Sequence, residues 1–138
     1  MKTAAAWLIV ANALAGLPVT AAKTDPAIHA CPDPCIDVGE GTNAEYKECF
    51  SQWLDREKRL LDERLARALA EFKERQSVAK AIKAAHDAWE SYRDAQCKAA
   101  GLRYEGGSMQ RTVTLACLAR TTCARVTDLE GDFLWSND

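Results

Sequence analysis

Six cysteines are the residues of this sequence whose spacing could most directly support chemistry. A thiolate can act as a nucleophile, as a metal ligand or as one half of a disulfide, and its surroundings decide which. A nucleophile requires a base beside it, and a tetrahedral zinc site requires further Cys or His ligands at short spacing. The six positions are Cys31, Cys35, Cys49, Cys97, Cys117 and Cys123.

Bases and additional metal ligands are scarce in the chain, which contains two histidines, His29 and His86. His29, Cys31 and Cys35 could begin a metal site, but no Cys-x-x-Cys motif or His pair follows to complete a tetrahedral set. No nucleophile, base and orienting group can be assembled from this residue set. We therefore predict a protein that is not an enzyme, with no cofactor and no metal ion, whose cysteines are paired as disulfides.

The beginning of the chain has the pattern of a secretory signal peptide. Lys2 precedes an apolar run over residues 4–17, and small residues follow it. The run is shorter than the roughly 20 apolar residues that span a bilayer, and Pro18 interrupts it. We expect cleavage after Ala21 or Ala22, which would leave a protein without membrane insertion in the periplasm or outside the cell. An even set of cysteines forms disulfides there.

Residues 23–42 are expected to form an irregular arm ahead of the helical part of the chain. The segment contains three prolines and two glycines and has no helical period. Cys31 and Cys35 would tether this arm to the rest of the protein. The predicted organisation is thus a signal peptide over residues 1–22, the arm, and one helical domain over residues 43–138.

A first long helix is predicted to follow the arm. Thr42 and Glu45 have the spacing of a capping box, in which a hydroxyl and a carboxylate satisfy free backbone amides at a helix start. Apolar residues then recur at steps of three and four as far as Phe72, and charged residues fill the other positions. We expect the helix to begin near Asn43 and the charged stretch over residues 55–75 to be its solvated face.

Two further segments have the same helical period. The second helix is predicted over residues 77–100. Gly106, Gly107 and Ser108 then form a turn and an N-cap, and the third helix is expected to end near Gly131. Short connections favour antiparallel neighbours, so the predicted fold is all-α: a small, antiparallel three-helix up-down-up bundle, stapled by disulfides.

The predicted hairpin of the second and third helices indicates one disulfide. Cys97 and Cys117 flank the Gly-Gly turn, so an antiparallel arrangement brings them together, and we predict that they pair. Cys49 is then expected to join one of the two arm cysteines, which leaves the other for Cys123. Which arm cysteine takes which partner stays open.

Aromatic and charged residues cluster at the end of the second helix. Trp89 and Tyr92 lie three residues apart and Arg93 lies four from Trp89, so we expect the three on one face, with Trp89 directed toward the other helices. Asp94 is expected to pair with Arg93 or with Arg125. These residues either pack the helices together or contact a partner.

Twelve residues in this half of the chain form a recognisable signature. They are Trp89, Tyr92, Arg93, Asp94, Cys97, Gly106, Gly107, Ser108, Cys117, Thr122, Arg125 and Leu129. In order and spacing they resemble the lysozyme-inhibitor LprI-like domain of bacterial envelope proteins. The upstream half fits more loosely, because Ala66, Leu69 and His86 stand where the family has Asn, Tyr and Gln. The resemblance covers about residues 45–130 and implies an exported helical domain that binds a muramidase.

Two functional interpretations follow. The first is a periplasmic inhibitor whose rigid surface blocks the cleft of a cationic lysozyme or another muramidase, with the formal net charge of −2 favouring encounter. The alternative is a structural, accessory or immunity-type envelope protein with a different protein partner. The basic residues form no clusters, which argues against nucleic acid.

The tail over residues 128–138 combines carboxylates with apolar side chains and has no basic residue. In the inhibitor interpretation, Phe133 and Trp135 would anchor in a lysozyme cleft while the carboxylates meet its cationic rim. The competing interpretation is that both aromatic residues fold back on the bundle and cover its end.

Overall fold

Helices dominate the part of the chain that the structure describes, which is residues 29–36, 38 and 41–134 of a computed structural model. No strand occurs among these residues, so the predicted all-α class is confirmed. The predicted signal peptide and Trp135 lie outside them. Of the helices in this part of the chain, none combines the length and the apolar character that crossing a bilayer requires.

Helix α1 spans Asn43–Glu71, α2 spans Gln76–Leu102 and α3 spans Met109–Leu129. A π-helical turn over Glu130–Leu134 continues α3, where a plain end near Gly131 was expected. The described residues of the arm contain neither helix nor strand. The three helical segments of the sequence therefore became the three helices of the fold.

The start of α1 has the predicted capping box. The hydroxyl of Thr42 accepts a hydrogen bond from the Glu45 amide at 3.3 Å, and the Glu45 carboxylate accepts one from the Thr42 amide at 2.6 Å. Hydrogen bonds from the backbone and side chain of Thr42 lower the pKa of Glu45. Two amides that a helix start leaves without partners are thereby satisfied.

Helix α3 packs against both other helices, whereas α1 and α2 contact each other little. Along α1 and α3 the contacts run in the same order: Asn43 meets Thr112 near the two starts, and Leu61 packs on Leu129 near the two ends. The core consequently lies mainly between α1 and α3.

Contacts between α2 and α3 run in the opposite order. Gly101, near the end of α2, lies against Thr114 of the first half of α3, so closely that a Cβ atom would stand 2.1 Å from the threonine hydroxyl. Earlier on α2, Trp89 meets Arg125 of the second half of α3. This order of contacts is the one expected of antiparallel neighbours.

Gly106 and Gly107 form the turn between α2 and α3, and Gly106 adopts φ of +75°, which favours glycine. Ser108 occupies the N-cap position, but its side chain makes no capping hydrogen bond, so the predicted capping role is wrong. Its backbone is already helical, at φ −63° and ψ −23°, whereas a capping hydroxyl needs an extended backbone.

Three disulfides hold the fold together. Cys97 bonds with Cys117 as the sequence predicts, and their Cα atoms lie 5.3 Å apart. The sequence left open which arm cysteine pairs with which partner; in the structure Cys35 bonds with Cys49 and Cys31 bonds with Cys123. The second of these closes a sequence separation of 92 residues and ties the arm to α3.

Candidate protein-binding site

Trp89 is the centre of the signature residues in three dimensions. It is half-buried and packs against the cluster of Leu61, Val126 and Leu129. The His86 ring stacks on its indole with centroids 5.6 Å apart. The guanidinium carbons of Arg93 and Arg125 lie over the same indole at 4.9 and 5.9 Å. Trp89 is thus directed toward the other helices, and it joins α2 to α3.

Arg93 has carboxylate partners on its own helix. Its Nε donates to Asp94 Oδ1 at 2.8 Å, and its Nη2 lies 3.8 Å from a Glu90 oxygen. Of the two partners considered for Asp94, the structure selects Arg93. The Arg93 side chain is only 11% exposed, and it connects the half-buried Trp89 indole with the exposed Asp94.

Tyr92 does not share the face of Trp89 and Arg93, which corrects the sequence expectation. Its side chain is 60% exposed. Each helical residue turns by about 100°, so steps of three and four residues place Tyr92 and Arg93 on opposite flanks of Trp89. Because α2 packs mainly on α3, its buried stripe is too narrow to include both flanks.

A buried carboxylate in α1 escaped the sequence analysis. Glu57 lies in the charged stretch that was assigned to a solvated face, yet it is 1% exposed. It accepts hydrogen bonds from Trp53 Nε1 at 2.9 Å and Arg56 Nε at 3.3 Å, and it lies 2.9 Å from His29 Nε2. The missed signal is the spacing: Glu57 follows Trp53 by four residues, on the apolar stripe.

The same polar network continues to the end of α3. Glu130 accepts from Arg64 Nε at 2.6 Å and from the His29 amide at 2.7 Å. Burial raises the pKa of Glu130, but these two hydrogen bonds outweigh it and hold the pKa below its usual value. The hydrogen bond that Arg64 donates to Glu130 raises the pKa of Arg64. The network fixes the arm across α1 and α3.

His29 also lies beside two cysteines, within the range of a metal cluster. A ring nitrogen of His29 and the sulfurs of Cys31 and Cys123 lie within 4.8 Å of one another. The two sulfurs are bonded to each other, however, so they are not thiolate ligands. The cluster is a disulfide anchor of the arm beside the Glu57 network.

The predicted contact tail is described only as far as Leu134. Phe133 is half-buried, packs beside the Leu61 cluster and meets Phe72 edge-on, with ring centroids 6.2 Å apart. These contacts favour the interpretation in which Phe133 covers the end of the bundle. Trp135, the other proposed anchor, lies outside the described residues.

Exposed apolar side chains concentrate at the opposite end, where the arm meets the starts of α1 and α3. We call this set the arm-end surface. Ile36 projects from the arm and is 75% exposed. Between it and Met109 lies a groove of about 310 Å³, lined mainly by apolar residues with Asp33 as its one charged member. The arm-end surface comprises Ile36, Leu102, Tyr104 and Met109.

Covalent and hydrogen bonds hold the arm-end surface rigid. Cys35 immediately precedes Ile36, and its disulfide with Cys49 attaches this part of the arm to α1. The Asn43 side chain donates to the carbonyl oxygen of Ser108 at 2.7 Å, which ties α1 to the turn before α3. A surface ordered in advance loses less entropy on binding.

The chain belongs to the LprI family. The family described as "Lysozyme inhibitor LprI" matches residues 35–129, which is more than half of the chain. An uncharacterized protein of Rhizobium meliloti (strain 1021) is 44% identical over 50 residues, and this match covers 36% of each chain. The chain therefore spans about a third of that relative's length. No solved structure matches the chain significantly.

Proposed function

We propose that this protein is an exported inhibitor that binds a muramidase through its arm-end surface and performs no reaction itself. Membership of a family described as lysozyme inhibitors, over residues 35–129, is the observation that carries the proposal. The three disulfides support an oxidising compartment, in agreement with the signal-peptide pattern of the first residues. We place the protein in the periplasm or outside the cell.

The arm-end surface suits a protein partner better than the signature cluster does. It holds four of the five exposed large apolar side chains among the described residues. Such side chains supply most of the binding free energy when they enter a partner's cleft. Trp89 and Arg93, in contrast, are engaged with their own neighbours. The exposed set can thus be buried against an enzyme without rearranging the bundle.

Charge also favours the arm end over the far end of the bundle. A larger hollow of about 690 Å³ lies there, between the α1–α2 turn and the π-helical turn. Arg67, Arg75 and one carboxylate, Glu71, line it, and the excess of positive charge would repel the cationic rim of a lysozyme. The arm-end groove is lined by Asp33 and by no basic residue, and Arg120 lies 3.7 Å from Asp33 at its margin. The arm-end groove therefore presents less positive charge to a cationic muramidase than the far end does.

Lysis of a cell-wall suspension by a c-type lysozyme tests the proposal. The wild-type protein should slow clearing in proportion to its concentration. Ile36→Ser should raise the concentration needed for half-inhibition by about tenfold, equivalent to about 1.4 kcal/mol of binding free energy. Tyr92→Ser is the matched control, because Tyr92 is also exposed but lies on α2 away from the arm end. It should change inhibition less than about twofold.

Two results would contradict the proposal. Absence of both inhibition and binding by the wild-type protein would reject the muramidase and favour the accessory or immunity-type alternative. Equal inhibition by the two variants would reject the arm-end surface as the contact. Melting temperatures should be unchanged in both variants, since neither side chain is buried.

A further inference from the structure

Four buried polar atoms of α2 and α3 have no hydrogen-bond partner in the described chain. They are His86 Nδ1, Thr122 Oγ1, and the Nε and Nη2 atoms of Arg125. Thr122 is fully buried and His86 is 8% exposed. Unsatisfied buried groups are rare in folded proteins, and elsewhere in the described residues the buried side-chain nitrogens and oxygens are paired. His86 and Arg125 both contact the Trp89 indole, and Thr122 precedes Arg125 by three residues on α3.

The position of Arg125 is costly for the protein alone. A guanidinium remains charged at physiological pH, and two of the nitrogens of Arg125 are buried without an anion, which carries a desolvation penalty. The other half-buried arginines avoid this penalty, since Arg64 pairs with Glu130 and Arg93 with Asp94. The donors of Arg125 therefore have no acceptor, whereas the donors of Arg64 and Arg93 each meet a carboxylate.

The geometry of Arg125 indicates which acceptor would fit. Its Nε and Nη2 atoms form one edge of the planar guanidinium, and that edge donates two parallel hydrogen bonds to the two oxygens of a carboxylate. Thr122 lies three residues earlier on α3, on the same face, and its hydroxyl supplies a third donor. A carboxylate would satisfy the edge and neutralise its charge.

We propose that Arg125, Thr122 and His86 form a receptor for a single carboxylate group, brought by a small free acid or by an acidic side chain of a protein. Arg125 as a residue is only half-buried, and its guanidinium carbon lies 5.9 Å from the centroid of the half-buried Trp89 indole. The receptor is separate from the arm-end surface, so it does not depend on the inhibitor proposal.

The charges around His86 make its imidazole a local reporter. Burial lowers its pKa most, Glu90 and Asp87 raise it, and Arg125 and Lys83 lower it. An anion at Arg125 would oppose the lowering and shift the His86 resonances. His29, which lies beside Glu57 in the arm network, provides the internal reference.

The test is an NMR titration of the intact protein at pH 7 with sodium acetate, against sodium chloride at equal ionic strength. We expect a saturable shift of the His86 ring signals with acetate. Arg125→Gln should raise the half-saturating concentration about tenfold, whereas Arg120→Gln, the control on the same helix, should leave it unchanged. The Arg120 side chain is 57% exposed and 3.7 Å from its partner Asp33.

A second probe separates the two sources of the carboxylate. A blocked tripeptide with one glutamate, acetyl-Gly-Glu-Gly-amide, represents a protein side chain. Tighter binding of the peptide than of acetate supports a protein ligand, and the reverse supports a small free acid. Arg125→Lys keeps the charge without the planar edge and should weaken both probes. A wild-type protein that shows no saturable shift with either probe would overturn the proposal, as would a folded Arg125→Gln that binds normally.

Discussion

Two buried polar clusters of this protein differ in how completely their groups are paired. In the first, the Glu57 network, the carboxylates of Glu57 and Glu130 meet donors from α1 and the arm. In the second, the Trp89 cluster, Arg125 and Thr122 offer donors and receive no acceptor from the described chain. A paired network stabilises the fold it belongs to, whereas an unpaired one is free to bind.

The difference lies in the elements that each cluster connects. The Glu57 network fastens an arm that has no regular structure of its own, and Cys31–Cys123 lies beside it. The Trp89 cluster joins two helices that Cys97–Cys117 already holds together. Removing a group from the first network should therefore cost more stability than removing one from the second.

The largest effect is expected for Glu57→Ala. The substitution leaves Trp53 Nε1 and His29 without their buried acceptor, at about 1–3 kcal/mol for each unsatisfied group, and it opens a cavity where a fully buried side chain stood. The total loss is expected to be about 3–5 kcal/mol. Urea denaturation measures the free energy of unfolding. Asp55→Ala, at an exposed position of the same helix, should change it by less than about 0.5 kcal/mol. A loss as small for Glu57 as for Asp55 would break the comparison.

A smaller loss is expected for Trp89→Ala. Full burial of a tryptophan would give a cost of about 3–5 kcal/mol, and the half-buried position of Trp89 places the expected value near 3 kcal/mol. Tyr92→Ala serves as the control, because its exposed ring should contribute less than about 0.5 kcal/mol. Equal effects of the two substitutions would mean that the indole is not part of the core.

The smallest effects concern pH, and the two clusters should respond in different ranges. The pKa of His86 in the folded protein is lowered from 6.5, mainly by burial, so the unfolded chain binds the proton more readily. The stability contributed by neutral His86 is fully present above pH 6.5 and decreases as the pH falls from there to the folded pKa. Replacing His86 with Gln should remove this step from stability measured against pH.

Glu130 should produce a separate step at lower pH. Its folded pKa lies below 4.5 because its hydrogen bonds from Arg64 and the His29 amide outweigh burial. The stability it contributes is present above pH 4.5 and is lost as the pH falls through the folded pKa. Glu130→Gln should remove the lower step and leave the upper one. A single merged step in the wild-type protein would contradict the separation.

Much of the fold could be predicted from the sequence because its determinants are local. The helical period, the capping box at Thr42 and the glycine turn each depend on residues a few positions apart. The bond Cys97–Cys117 belongs with them, since a short turn brings its two helices together. The sequence signature from Trp89 to Leu129 likewise indicated the family, which the match over residues 35–129 shows.

Only the tertiary structure decided the features that depend on distant residues. In the sequence, Glu57 resembles the other charged residues of a solvated helix face. In the fold it is covered by the arm, whose His29 lies 28 residues before it in the sequence. Tyr92 is exposed because α2 packs mainly on one neighbour, and no local pattern states how wide that contact is. The missing acceptor at Arg125 becomes visible only when α2 packs against α3. Burial and pairing are properties of the whole packed chain, whereas helix period and capping are properties of its segments.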